Sequence, residues 1–253
     1  MGLSLGLLGG GGSILAVPIL VYFFGLSGTH ATYSSLFVVG TCAAIGVIPF
    51  ARRGLVNLKL ALLFYFPSVL GVLFARRIVL PAIPEVMELN GVSFSKSLLI
   101  LLLFGIVMLA ASASMIRGTA KQKAPSSEPS SPVRTTIVGM AVGAITGLVG
   151  AGGGFLIVPA LVNGMALPME KAIGTSLLII ALNSLSGFSG DWLSGSRIDW
   201  SLILPFTGVA LLGVIGGTFL NTKIPGKKLK PAFGWFVLML GIGMILKQIF
   251  ELG

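Results

Sequence analysis

The sequence predicts an all-α polytopic membrane protein of about eight hydrophobic segments in two homologous repeats, inverted relative to one another, each beginning with a Gly-rich broken or re-entrant helix. Three observations carry this prediction. Of 253 residues, 55% are hydrophobic and 9% charged, with a mean hydropathy of +1.03, which is more apolar surface than a soluble chain of this length can hide. Apolar runs of helix-spanning length recur from end to end. A stretch rich in glycine, with a Val-Pro pair, occurs twice.

In chain order, the segments cover about 1–24, 31–50, 55–80, 97–117, 134–163, 172–192, 199–222 and 231–250. The first begins at Met1 without a basic n-region, so it does not read as a cleavable signal peptide. Between the fourth and fifth lies GTAKQKAPSSEPSSPV, residues 118–133, rich in Pro, Ser and Lys and without a periodic apolar face. It reads as a flexible polar linker. It separates a first membrane repeat, 1–117, from a second, 134–253.

The halves align without a gap. GLLGGGGSILAVPILV (6–21) lies over GLVGAGGGFLIVPALV (147–162) at a constant offset of 141. Ala31, Ser34, Ser35 and Leu36 then match Ala172, Thr175, Ser176 and Leu177, and Ile83-Pro84 match Ile224-Pro225. Such agreement marks an internal duplication, a common construction of transporter folds.

Charge tests the topology. If all eight segments simply cross, the two faces carry nine and eight Lys/Arg. If the first and fifth turn back at their glycines, Arg52, Arg53, Lys59, Arg117, Lys121, Lys123, Arg134, Lys171, Lys223, Lys227, Lys228 and Lys230 share a face. Arg76, Arg77, Lys96, Arg197 and Lys247 remain opposite. That asymmetry follows the positive-inside tendency and makes the repeats inverted. Eight plain spans with parallel halves is the competing arrangement.

Glycine and proline are poor helix formers, and non-helical backbone at membrane depth is tolerated only inside protein or along a watery cavity. A short helix restarting near Ser13, and another near Gly154, would present unpaired N–H groups and a positive dipole end to an anion. Gly10, Gly11, Gly12 and Ser13, with Gly152, Gly153 and Gly154, are therefore candidate binding residues. Pro18 and Pro159 lack an N–H and free the carbonyls of Ile14 and Phe155. The competing reading is close packing, since Gly2, Gly6 and Gly10, like Gly139, Gly143 and Gly147, recur every four residues. The duplicated proline favours the broken helix, because packing does not require it.

The second duplicated element, HATYSSL (30–36) against KAIGTSL (171–177), offers Ser34, Ser35, Thr175 and Ser176 as donors to an oxyanion or to backbone carbonyls. His30 and Lys171 precede these helices as entrance or coupling candidates, or as ordinary interfacial residues. In NSLSGFSGD (183–191), Asn183 is a further candidate, and Asp191 reads as a solvated carboxylate near Trp192.

Other classes find little support. The net charge of +10 sits in short clusters between apolar runs, without the basic stripe and aromatics of a nucleic-acid groove. One cysteine, Cys42, allows no internal disulfide and no thiolate metal cluster. One histidine excludes H-E-x-x-H metal chemistry, and GAGGGF places Phe155 where a dinucleotide loop needs glycine. No G-x-x-x-x-G-K-[ST] loop is present and no cofactor is expected, so active transport would need a proton or sodium gradient, or a separate partner protein.

With both glycine clusters, both Val-Pro pairs and the SSL/TSL element in view, the chain resembles the TauE/SafE family of membrane permeases, often labelled sulfite exporters. The resemblance covers nearly the whole chain, and the paired G-x-x-G-x-G-G-G-x-x-x-V-P-x-L pattern carries it. Gly147 to Leu161 match fully, whereas the first copy has Gly10 in place of Ala151 and Ser13 in place of Gly154. The resemblance implies export or uptake of a small sulfur-containing anion, such as sulfite or an organosulfonate, across a bacterial-type inner membrane. The internal duplication with broken helices favours a secondary transporter working by alternating access over an enzyme. A passive anion channel is the alternative. Topology can be read directly: with Cys42 replaced, single cysteines at Ser126 and Gly226 should label from one face and one at Pro84 from the other. Labelling of Ser126 and Gly226 from opposite faces would eliminate the hairpins.

Overall fold

A computed structural model describes residues 1–89, 92–116, 132–150, 153–165, 167–196, 198–221 and 226–250. The chain opens with α1 (Gly2–Leu8), a 3-10 stretch over Gly9–Leu15, α2 (Ala16–Tyr22) and α3 (Gly28–Arg52). Next, α4 (Leu58–Phe74) continues through a π-helical turn, Ala75–Val79, into α5 (Leu80–Ala82). After the strands β1 (Val86–Leu89) and β2 (Val92–Ser95) come α6 (Lys96–Ile116) and α7 (Pro132–Val149). The short α8 (Gly154–Pro159), a π-helical Ala160–Gly164, α9 (Met169–Leu193), α10 (Trp200–Asn221) and α11 (Gly226–Phe250) complete the order. Of the linker, residues 118–131 lie outside the described residues.

Among the described residues, six stretches are long and apolar enough to cross a membrane: Gly2–Tyr22, Gly28–Arg52, Leu58–Ala82, Lys96–Ala113, Met169–Leu193 and Trp200–Asn221. Val133–Val149 and Val237–Gln248 are shorter apolar helices. Each predicted hydrophobic segment thus contains apolar helix. The helical expectation needs one correction, the antiparallel β1–β2 hairpin that pairs Val86 with Ser95 and Leu89 with Val92. Its signal was Asn90-Gly91 between two apolar-containing runs, the dipeptide most favoured in two-residue hairpin loops.

Helices α3 and α9 are the long central elements, each of 25 residues. The Ser27 side chain caps α3 by accepting from the His30 N–H. Gly54 and Gly195, at φ of +67° and +80°, follow the ends of α3 and α9 and let the chain leave the helix in a left-handed turn. The two helices pack antiparallel: Leu36 meets Gly187, Gly40 meets Ser184 and Leu185, Gly46 meets Leu177, and Phe50 meets Gly174. By contrast, α4 runs parallel to α9, with Ser68 opposite Asn183, Val72 opposite Gly187, and Arg76 opposite Asp191.

Glycines set the closest helix contacts. Along α4 and α7, Gly139 abuts Phe64 and Pro67, Gly143 abuts Ser68, and Gly147 abuts Val72. Along α1 and α10, Gly2 abuts Ala210 and Gly6 abuts Val214. Both pairs are therefore parallel, and the four-residue glycine spacing serves backbone approach, as the packing reading holds. The outer faces of α4 and α10 are apolar and open, with Phe66, Leu70, Leu212 and Phe219 exposed. In a bilayer that surface meets lipid, so exposure of large side chains carries no hydrophobic penalty.

These contacts separate two kinds of glycine. A Cβ on Gly143 would lie 2.0 Å from the Ser68 carbonyl oxygen, whereas one on Gly208 or Gly216 meets nothing within 4 Å. Gly143→Ala should lower the melting temperature of the detergent-solubilised protein by many degrees. Gly208→Ala and Gly216→Ala should leave it unchanged or raise it, alanine being favoured over glycine by about 1 kcal/mol in helices.

Candidate functional site

Both glycine clusters break their helices. In the first, α1 ends at Gly9, whose φ of +63° suits glycine alone, and the 3-10 stretch leads into α2. The α-helix therefore resumes at Ala16 rather than near Ser13, because the run Gly9 to Gly12 winds more tightly before α geometry is regained. In the second, Gly150 and Gly153 both take φ of +71°, and α8 starts at Gly154 as expected. Gly152 lies outside the described residues.

At each break the chain packs against itself. Gly12 lies on the backbone of Ser4 and Leu5, and Gly153 lies on Thr146. Seven residues of continuous helix, the separation of Leu5 from Gly12 and of Thr146 from Gly153, would hold them about 10 Å apart. The breaks also touch one another. A Cβ on Gly10 would lie 2.3 Å from the Gly154 Cα, and one on Gly154 would lie 2.1 Å from the Gly10 Cα. Each break further docks on the opposite central helix, Gly9 on Ile173 beside the Ser176 hydroxyl, and Gly150 on Thr32.

Hydroxyls line these contacts and mostly satisfy backbone. Ser13 donates to the Gly10 carbonyl and Ser176 to that of Ile173, each at 2.8 Å. The Ser35 hydroxyl reaches the carbonyls of both Thr32 and Gly150, tying α3 to the second break. Thr175 accepts from the Asn57 N–H at 3.0 Å and so fixes the approach to α4. Ser34 is buried, as are Ile14 and Phe155, the residues four before Pro18 and Pro159. Gly11 is buried within the 3-10 stretch. Thus Gly10, Gly12, Ser13, Ser35, Gly153, Gly154 and Ser176 gather about the two breaks. His30 and Lys171 are exposed in the first turns of antiparallel helices, at opposite ends, and do not share one entrance.

Asp191, expected to be solvated, is buried and pairs with the buried Arg76 guanidinium. Arg76 consequently leaves the tally of interfacial charge. Its Nη2 also reaches the Thr32 carbonyl at 3.5 Å, and its Cζ stands 5.4 Å from the Tyr33 ring centroid. A second polar rung lies two helical turns away, where the Asn183 amide donates to Ser68 at 2.6 Å. Arg76 Nε, Asn183 Oδ1 and Ser184 Oγ are buried without a hydrogen-bond partner among the described residues. Removing one partner of a buried ion pair costs about 3–5 kcal/mol. Sequence reasoning missed Arg76. The available signal was an arginine inside one apolar segment and an aspartate inside another, a combination membranes tolerate when the two meet.

The charge is one-sided. At the 141-residue offset Arg76 corresponds to Gly217, Asp191 to Phe50, and Asn183 to Cys42. Outside the spans, Asp199 is an exposed cap of α10, and its bond from the Ser201 hydroxyl holds its carboxyl below the usual range. A cavity of about 480 Å³ lies at the start of α3, lined by Tyr22, Ser27, Ser97, Lys247 and Gln248 among others. His30 borders it through a 3.1 Å contact between its Nδ1 and the Ser27 hydroxyl. No group of three or more His, Cys, Asp or Glu suited to a metal occurs among the described residues.

The profile of the family described as "Sulfite exporter TauE/SafE" matches residues 1–244. Proteins of two strains of Xylella fastidiosa, each named a "Probable membrane transporter protein", are 34% identical over 97% of this chain and 91% of their own length. YunE of Bacillus subtilis, named likewise, is 26% identical over 97% of the chain and 93% of its own length. A similarly named protein of Methanocaldococcus jannaschii is 24% identical with the same coverage. No solved structure matches the chain. Family match, identity along the whole length and six apolar spans agree: this chain is a multi-pass integral membrane protein and belongs to the TauE/SafE family of membrane transporters.

Proposed function

We propose that the protein is a secondary transporter that moves a small sulfur-containing oxyanion, such as sulfite or an organosulfonate, by alternating access. The observation that carries this reading is the crossing of α3 and α9. These are equivalent elements at the 141-residue offset, and they pack antiparallel, as Leu36 on Gly187 and Phe50 on Gly174 require. Residues 1–117 and 134–253 then act as inverted repeats about a two-fold axis through the crossing. The reciprocal docking of Gly9 on Ile173 and Gly150 on Thr32 supports the same axis, since Ile173 stands 141 residues after Thr32.

In this reading each repeat opens on a re-entrant segment. The parallel course of α4 with both α7 and α9 supports a return of the chain between α7 and α9. The return leg is α8 with the turn that follows it. An anion held between the two breaks would meet backbone N–H groups at Gly10 to Ser13 and at Gly153 and Gly154. Ser34, Ser35, Thr175, Ser176 and Asn183 are the side-chain donors proposed for the anion, Ser35, Ser176 and Asn183 by exchanging the partners they hold in this structure. Ile14 and Phe155 offer carbonyls toward a coupling proton or sodium ion. His30 and Lys171 serve one entrance each. The family description, which names sulfite export, favours a sulfur oxyanion over a carboxylate.

Proteoliposomes offered sulfite, methanesulfonate, sulfate and acetate under imposed pH or sodium gradients test the reading. Sulfite or the sulfonate should enter faster than in empty vesicles, saturate, show counterflow and respond to one gradient. If no anion of the panel exceeds the empty-vesicle rate, the sulfur-anion reading falls. Non-saturating flux without counterflow would make the protein a channel.

A further inference from the structure

We infer that Arg76 is the fixed positive charge that receives the transported anion, and that the Asp191 carboxylate occupies the anion's place while the site is empty. The inference rests on the anion reading above and extends it to residues outside the glycine breaks. A guanidinium carries five N–H donors in a planar fork, matched to two oxygens of a carboxylate or of a sulfur oxyanion. In this structure the fork is underused. Nη1 meets Asp191, Nη2 reaches the Thr32 carbonyl only at 3.5 Å, and the buried Nε has no partner among the described residues. A purely structural arginine at this depth would be expected to have its donors satisfied.

The surroundings point the same way. Thr32 is the residue on which Gly150 docks, and the Ser35 hydroxyl reaches the carbonyls of Thr32 and Gly150, so Arg76 stands one residue away from the second glycine break. Arg76 lies in the π-helical turn Ala75–Val79, a local widening that recurs at functional sites. The pair also joins α4 of the first half to α9 of the second. Movement of one half against the other would part the two charges, and a bound oxyanion would then neutralise Arg76 in place of Asp191. The equivalent positions Gly217 and Phe50 carry no charge, so the site takes one anion per chain.

The test compares sulfite and methanesulfonate binding to Asp191→Asn, Arg76→Gln and the double variant, reconstituted in nanodiscs, by direct affinity and by ligand-induced thermal shift. Asp191→Asn removes the competing carboxylate and should bind about tenfold more tightly, with a larger thermal shift than the parent, because the anion replaces a missing partner. Arg76→Gln should lose at least about tenfold in affinity, as expected for a charge-assisted bidentate contact. The double variant leaves no uncompensated buried charge. It keeps the test open where Arg76→Gln does not fold, and it should show no thermal shift. A structural clamp predicts that Asp191→Asn and Arg76→Gln change affinity in the same direction or leave it alone. Either result overturns the assignment, as does sulfite binding of parental strength by the double variant. If the parent transports panel anions while these variants bind them normally, only the assignment of Arg76 fails. If the parent neither binds nor moves any of them, the anion reading fails with it.

Discussion

A backbone amide in hydrocarbon has no water to bond, so an interrupted helix survives within a bilayer only where protein surrounds the interruption. This chain interrupts two helices, and the remaining architecture can be followed from how the interruptions are enclosed. Gly10 and Gly154 touch backbone to backbone, Gly9 lies on α9, and Gly150 lies on α3. Any side chain at Gly10 or Gly154 would push the two breaks apart. The central helices, which carry Thr32, Ser35, Ile173 and Ser176, form the wall around them, while α4 and α10 present apolar faces outward.

Much of this was legible in the sequence, for identifiable reasons. Apolar length predicts spans because lipid leaves few alternatives, and helices occur in all eight predicted segments. The glycine runs predicted breaks because Gly9, Gly150 and Gly153 adopt backbone angles that other residues resist. Hydroxyls at Ser13 and Ser176 were visible as residues but not as donors to their own helices, a choice made by local geometry. The two charges within apolar segments were visible, but their pairing was not, since Arg76 and Asp191 lie 115 residues apart and meet only when the helix continuing α4 aligns with α9. Asp191 looked interfacial because its neighbours Trp192 and Ser194 are polar or amphipathic, whereas its own side chain turns inward.

Repetition and asymmetry have separate roles in the molecule. The repeated features, glycine breaks, prolines and hydroxyls, shape the backbone and recur at a fixed offset. Charge and the buried amide are confined to one member of each equivalent pair, so Phe50, Gly217 and Cys42 face Asp191, Arg76 and Asn183 across the duplication. Positions matched at the 141-residue offset thus share backbone-shaping residues but differ in chemistry at these three pairs. Buried polar groups that break such a match are costly unless paired, and Asn183–Ser68 and Arg76–Asp191 are both paired across the boundary between halves.

The packing of α1 on α10 bears on how the chain is made. Gly2 rests against Ala210 and Gly6 against Val214, partners synthesised some two hundred residues later. Likewise α4 finds one neighbour only when α7 emerges, and another with α9. During translation the glycine face of α1 therefore lacks this partner until α10 has been made. Contacts of such long sequence separation slow folding and prolong exposure to wrong partners. Until α10 is made, the early helices depend on their apolar length and on the contacts that α3 makes with α1, α2 and α6.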